Sequence, residues 1–256
     1  MTGLKGKIVW VTGAGSGIGE AAALALAKEG ATVVLTGRRR EVLRSVADRI
    51  ARSGGNAHVA AADVSDAATV NEVAVEIKAK FGRLDILVNN AGSNVAERSW
   101  AKLDPARIDA VLEANLASAF YCAAAALSIM RPQQDGLLIH TASWAGRFVG
   151  LLSGPTYVAA KHGVVAMSHS INMEEFMNGI RSTVLCPGEV ATPILDRRPK
   201  PVSQQERGRM LQPEHMADLI LYVAKLPPSV CVNEVLISPT WNRGYAAAAG
   251  IGPRTT

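Results

Sequence analysis

Hydrophobic positions along this chain fall into two alternating regimes. Short unbroken apolar runs rich in β-branched residues occur at 8–11, 32–36, 57–62, 84–88, 137–141, 182–186 and 235–237. Runs of this length and composition predict strands. Between them lie longer segments with helical spacing or alanine-rich composition, at 20–29, 40–53, 66–81, 105–130, 157–177 and 213–225. Punctuation supports these spans: Gly54-Gly55 closes one helix, Ser65 stands at the N-cap of the next and Gly82 ends it, and Pro105 suits a first turn. Strands that are apolar on both sides are buried on both faces, and strict strand–helix alternation calls for crossover connections. The expected fold is therefore α/β, a doubly wound parallel sheet flanked by helices, in one domain spanning residues 1–256. Residues 193–211 are rich in Arg, Lys, Pro and Gln and show no period. The segment after Thr240 is unassigned, and its last residues are expected to be mobile.

Composition narrows the function. With 256 residues and 48% hydrophobic content, the chain can build one sizeable core, and no linker divides it. No apolar run is expected to span a bilayer, and residues 1–7 lack the apolar stretch of a signal peptide. Cys122, Cys186 and Cys231 are too widely spaced for a disulfide framework or a zinc site, so a reducing cytoplasm is the expected setting. The net charge of +5 comes from scattered basic residues, and 5% aromatic content is too little for a base-stacking surface; nucleic-acid binding is not expected. The five histidines show no metal-ligand spacing, and His140, inside an apolar run, reads as a satisfied core residue.

The candidate chemistry begins at Thr12-Gly13-Ala14-Gly15-Ser16-Gly17-Ile18-Gly19, between the first strand and the first helix. Glycine adopts backbone angles closed to other residues and lets the chain approach a ligand. Free amides at the helix start and the helix dipole favour an anion, and a dinucleotide pyrophosphate is the natural candidate. Downstream stand Asn89-Asn90-Ala91-Gly92, Ser143 at the end of a strand, and Tyr157-Val158-Ala159-Ala160-Lys161. Positions i and i+4 share one helical face, so Tyr157 and Lys161 can reach one ligand.

This set, in this order, resembles the short-chain dehydrogenase/reductase family over residues 4–240, almost the whole chain. The resemblance implies a Rossmann-like fold and a hydride transfer between a nicotinamide cofactor and a secondary alcohol or ketone, a small-molecule substrate such as a hydroxy acid or keto ester. It implies catalytic roles for Asn115, Ser143, Tyr157 and Lys161. Cofactor contacts are implied for Gly13, Gly15, Ser16, Gly17, Ile18 and Gly19 and for Asp63, Val64, Asn90, Ala91 and Gly92. Tyr157 and Lys161, and Pro187, Gly188, Val190 and Thr192 at the nicotinamide end, complete that set. NAD-linked members carry an acidic residue where this chain has Gly37, and Arg38 and Arg39 follow, which implies NADP in preference to NAD. Asn115 is expected to hold its helix slightly open, and the alanine faces at 123–126 and at Ala159, Ala160 and Ala166 to make a dimer or tetramer. A lysine cation about 4 Å from the tyrosine, at an effective dielectric near 20, would favour the phenolate by ~4 kcal/mol, or about three pKa units. Residues 193–211 correspond to a variable substrate lid, and Ser93, Asn94, Trp144, Phe148, Leu151, Leu152 and Glu189 to the pocket. Lid cations Arg197, Arg198, Lys200, Arg207 and Arg209 are candidates for attracting a carboxylate or phosphate. The alternative is a dinucleotide-sensing regulator or scaffold, which would be expected to lose Tyr157 or Lys161; an extended-branch epimerase would need a larger C-terminal domain.

Overall fold

All five residues of β1 (Ile8–Thr12) are buried, as a strand covered on both faces must be. The computed structural model describes residues 3–198 and 202–250. In it β1 lies between β2 (Thr32–Gly37) and β4 (Ile86–Asn89) in a seven-stranded sheet of order β3-β2-β1-β4-β5-β6-β7. The remaining strands are β3 (Asn56–Ala61), β5 (Gly136–Thr141), β6 (Ile180–Pro187) and β7 (Glu234–Ile237), and every neighbouring pair is parallel. Alternate side chains serve opposite faces. Trp10, Leu87, Leu138 and Val184 pack on α3 (Ala67–Phe81), α5 (Ser118–Gln133) and α6 (Pro155–Glu175). Val9, Val11, Val33 and Leu35 pack on α1 (Gly17–Lys28), α2 (Arg40–Arg52) and α8 (Pro213–Ala224). The sheet is the expected Rossmann-like doubly wound one. All carboxyl ends of the strands lie along one edge, and strand order reverses between β1 and β4, where ligands of such sheets gather.

Several boundaries and local features differ from expectation. Asp66, not Ser65, caps α3: its side chain accepts from the Ala68 amide at 2.9 Å, while Ser65 donates to Asp63. The helix expected at 105–130 is three pieces, namely α4 (Pro105–Leu112), a π-helical turn (Glu113–Ala117) and α5. The whole stretch Pro105–Gln133 is long and apolar enough to cross a membrane by length and composition, with a mean hydropathy of 1.5 in its best window, contrary to the expectation that none would be. Half of that window is buried inside the protein, because this helix roofs one face of the sheet. His140 is fully buried as expected, but neither ring nitrogen has a hydrogen-bond partner among the described residues. Burial, aided by Lys161 nearby, pushes its pKa down to about 3 and keeps the ring neutral.

The excursion at 193–211 is anchored at both ends, because Ala191 donates to the Leu211 carbonyl at 2.8 Å and Leu211 to the Glu189 carbonyl at 3.0 Å. Within it lie a 3₁₀ turn (Pro193–Arg197) and α7 (Gln204–Gly208), whose capping box joins Ser203 and Glu206. Lys200 lies outside the described residues, as do the final residues expected to be mobile. The segment after Thr240 forms α9 (Arg243–Ala248) and folds back onto the carboxyl edge of the sheet.

Candidate active site

The glycine turn is shaped by what it touches. Gly13 has φ +65° and Gly17 φ +56°, where side chains are strained. A Cβ on Gly19 would collide with the Gly13 carbonyl and stand 2.7 Å from Asn90 Nδ2, so the first turn of α1 packs directly against β1. Gly17 faces Thr192, whose Cγ2 would lie 2.9 Å from an added Cβ. Thr12 ties this turn to the end of β4, its hydroxyl accepting from the amides of Asn90 at 2.9 Å and Ala91 at 3.0 Å. Asn90 Nδ2 donates back to the Thr12 carbonyl at 3.2 Å, whereas Asn89 is spent on the Ala119 carbonyl at 2.8 Å and braces α5.

Between the glycine turn and the excursion lies a cleft of about 2340 Å³. That exceeds the ~300–1,000 Å³ of a pocket for one drug-sized molecule. The residues expected to contact the cofactor line it except Gly19, which lies behind Gly13, and so do the expected pocket residues; of the described lid cations Arg197, Arg198 and Arg209 line it and Arg207 does not. On its floor the π turn carries Asn115. Its amide donates to the carbonyls of Ser93 at 2.6 Å and Val111 at 2.8 Å, while its buried Oδ1 has no partner among the described residues and would stand 2.7 Å from a Cβ on Gly92. The opened turn follows from this, since a side chain that bonds the Val111 carbonyl competes for an acceptor of the helical ladder.

Ser143 follows β5, half-buried, its hydroxyl accepting from the Ala145 amide at 3.1 Å. Tyr157 and Lys161 lie one turn apart at the start of α6, with Lys161 Nζ 5.6 Å from the phenol ring centre. Lys161 is buried and donates to the Thr141 carbonyl at 3.0 Å; burial lowers its pKa to about 8. The expected lysine-driven depression of Tyr157 is not what the structure gives. Burial raises the phenol's pKa, and the Ser143 hydroxyl, Arg98 and Arg198 lower it without overcoming that effect. The phenol therefore holds its proton at neutral pH, beside a serine hydroxyl and a buried amine at the carboxyl edge of the sheet. This arrangement can donate a proton to an oxygen and hold the oxygen in place.

A family model described as short chain dehydrogenase matches residues 7–202 of the chain, more than three quarters of its length. The chain belongs to the short-chain dehydrogenases. It is 37% identical over 191 residues to a 3beta-hydroxysteroid dehydrogenase of Mediterraneibacter gnavus, covering 75% of this chain and 68% of that protein. With an uncharacterized oxidoreductase of Staphylococcus aureus (strain USA300) it shares 35% over 242 residues, 93% of this chain and all of the relative. Among solved structures, a metagenomic short-chain oxidoreductase in complex with NADP superposes with a TM-score of 0.82 at 30% identity, over 94% of this chain and 100% of that one. The protein is thus an NAD(P)-dependent oxidoreductase acting on CH–OH groups of small molecules.

In this dehydrogenase the edge beyond β2 carries no carboxylate at Gly37, where an added Cβ would meet only Leu43 Cδ2 at 3.6 Å. Arg38 and Arg39 follow, both exposed, and Asp63 lies close enough to Arg38 to feel its charge. Burial raises the Asp63 pKa, but hydrogen bonds from Ser65 and the Arg38 charge outweigh it and leave it lowered. The glycines, the unpartnered Asn115 Oδ1 and the missing acid at Gly37 all fit a nicotinamide dinucleotide. Asn94 and Glu189 line the cleft as expected, and both already have partners within the protein. Asn94 donates to the Ser153 carbonyl at 2.9 Å, and Glu189 pairs with Arg198 at 2.7 Å and with Arg243. Arg207 is turned away to Asp196, and Arg209 lies 5.5 Å over the Trp241 ring. Of the alanines expected on a shared helical face, Ala123, Ala125, Ala126 and Ala160 are buried in the subunit's own core; Ala124, Ala159 and Ala166 are exposed. Three contributors had no signal in the sequence. Arg98 sits in a loop without a period, and Arg243 and Tyr245 come from the unassigned tail to meet Glu189 and Trp144.

Proposed function

We propose that this dehydrogenase interconverts a secondary alcohol and a ketone with NADP(H) as its preferred cofactor. The observation that carries the reading is the convergence of Ser143, Tyr157 and Lys161 on the cleft that the glycine turn also lines. When bound, the nicotinamide supplies or accepts the hydride. Tyr157, protonated at neutral pH, delivers the proton to the carbonyl oxygen, and Ser143 donates a hydrogen bond to the same oxygen. Lys161 is placed to hold a ribose hydroxyl, with Asn115 behind it. Gly13, Gly15, Ser16, Gly17, Ile18 and Gly19 form the pyrophosphate cradle, with Asp63, Val64, Asn90, Ala91 and Gly92 along the adenosine. Pro187, Gly188, Val190 and Thr192 close the nicotinamide end.

Preference for the 2′-phosphate rests on Arg38 and Arg39 and on the absence of an acid at Gly37, and the NADP complex of the metagenomic relative supports it. Residues 193–211 act as the substrate lid. Exposed Phe120 and Tyr121 beside Ala124, with Ala159 and Ala166 on α6, make a face suited to a homodimer or tetramer. Three free thiols accord with a reducing, cytoplasmic setting. The test is steady consumption of NADPH by the purified chain with a panel of ketones, keto acids and keto esters. Binding of NADPH without turnover on any of them would favour the regulator.

A further inference from the structure

The loop after β4 brings one arginine to the mouth of the site. Arg98 lies across Gly154, the residue that caps α6 three positions ahead of Tyr157. Gly154 has φ +77°, and a Cβ there would come within 2.6 Å of the Arg98 carbonyl oxygen and 2.9 Å of its Cγ. The guanidinium lines the same cleft as Tyr157 and Arg198, close enough to both to influence their charges. Among the described residues its hydrogen bonds go only to backbone carbonyls: Arg197 at 2.7 Å, and Leu152 and Ala96 at 3.4 Å each.

An arginine has five N–H donors, so Arg98 keeps donors to spare, and among the described residues it forms no ion pair. The cations around it are already matched elsewhere. Arg198 and Arg243 share Glu189, and Arg243 also reaches Glu206 at 3.1 Å. Three guanidiniums face two carboxylates in this connected group, which leaves one positive charge at the Arg98 end, next to the amino end of α6. A half-buried cation without a counter-ion is costly, and an anion entering the cleft relieves that cost. Beside it Trp144, Phe148, Leu151 and Leu152 form an apolar wall.

We propose that Arg98, backed by Arg198, is a carboxylate-binding subsite, and that the substrates are keto acids and hydroxy acids with an apolar body. This rests on the catalytic reading above and narrows it. The planar guanidinium fork suits a carboxylate bidentately, fixing the acid end of the substrate while Ser143 and Tyr157 meet its carbonyl. The site is separate from the cationic edge at Arg38, which adjoins Asp63.

The experiment compares acetoacetate, levulinate and benzoylformate with their methyl esters, read as kcat/KM for NADPH oxidation by the full chain. At least one acid should exceed its ester by about tenfold or more. Arg98→Leu should lower that ratio at least tenfold, chiefly through KM, and Arg98→Lys should recover part of it. Calorimetric binding of benzoate, which cannot be reduced, supplies a second readout. Esters turned over as well as acids, with no benzoate binding, would overturn the subsite while leaving the catalytic reading intact. An Arg98→Leu variant that loses acid and ester activity in equal measure would also overturn it, reassigning Arg98 to support of Tyr157. Benzoate binding that depends on Arg98, without turnover of any carbonyl, would uphold the subsite and sink the catalysis.

Discussion

Replacing Lys161 with methionine should make this dehydrogenase more stable while destroying its activity. The ammonium is buried and donates to the Thr141 carbonyl at 3.0 Å. Burial lowers its pKa from the ordinary 10.5 to about 8. At ~1.4 kcal/mol per pKa unit, keeping the folded protein charged at pH 7 costs about 3 kcal/mol relative to the neutral amine. Methionine fills similar space without the charge but leaves the Thr141 carbonyl without its donor, a loss of about 1–2 kcal/mol. The net gain of about 1–2 kcal/mol corresponds to a Tm increase of about 5 °C in a chain of this size. The pH dependence makes the cause identifiable. Because the folded pKa lies below the unfolded one, the unfolded chain binds the extra proton between about pH 8 and 10.5. Wild-type stability therefore rises with pH through that window, and the variant's does not. Other groups titrate alike in both proteins and cancel in the difference. Thermal melts of the two at pH 7, 8, 9 and 10 should show the variant's advantage shrinking as pH rises. A Lys161→Met protein that melts below wild type by a gap independent of pH would refute the reasoning.

Tyr157→Phe removes only the hydroxyl, so it should keep NADPH affinity within a few-fold and lose turnover by several orders of magnitude; retention of a tenth of the activity would exclude Tyr157 as the proton donor. NADPH should bind at least tenfold more tightly than NADH, equivalent to ~1.4 kcal/mol, and Gly37→Asp with Arg38→Ala should reverse the order. Calorimetry at low salt, where phosphate contacts count most, tests this, and equal wild-type affinities would mean the arginines merely face solvent. Arg243→Ala should cost the tail about 1–3 kcal/mol of charge-assisted hydrogen bonding, seen as faster proteolytic clipping after Thr240, with Glu189 still paired to Arg198. Unchanged clipping would mean that ring contacts such as Trp144 with Tyr245 and Arg209 over Trp241 hold the tail without Arg243.

The parts of this structure legible in sequence are those set by local rules. Strands buried on two faces must be apolar, so the order of elements could be read directly. Glycines at positive φ mark a turn whatever surrounds it. Tyr157 and Lys161 share a helical face by spacing alone. Arg98 was illegible for the opposite reason, since its place depends on Gly154 and Arg197, far away in the chain and joined only by folding. The same holds for Arg243, whose partners Glu189 and Glu206 lie 54 and 37 residues upstream. His140 reads as satisfied because most buried polar groups are, and nothing local announces that neither ring nitrogen meets a partner among the described residues. The tyrosine's raised pKa also escaped, since burial depends on the whole cleft, whereas the lysine's spacing is visible in five letters.

The π turn at Glu113–Ala117 carries a constraint on chain length. It inserts one residue into the helical ladder, so α4 and α5 are offset by about 100° from the faces a single regular helix would present. Val111 ahead of the turn and Ala119, Cys122, Ala123 and Ala126 after it are buried under that offset. Deleting one residue between 113 and 117 would restore a regular helix and swing every side chain on one side of it by about a third of a circle, turning that buried set out of the core. No substitution could compensate for such a rotation. Insertions and deletions should therefore be tolerated better in the 193–211 excursion, held by separate side-chain contacts such as Arg243 to Glu206 rather than by one continuous helical ladder, and excluded from these five positions even where their side chains vary.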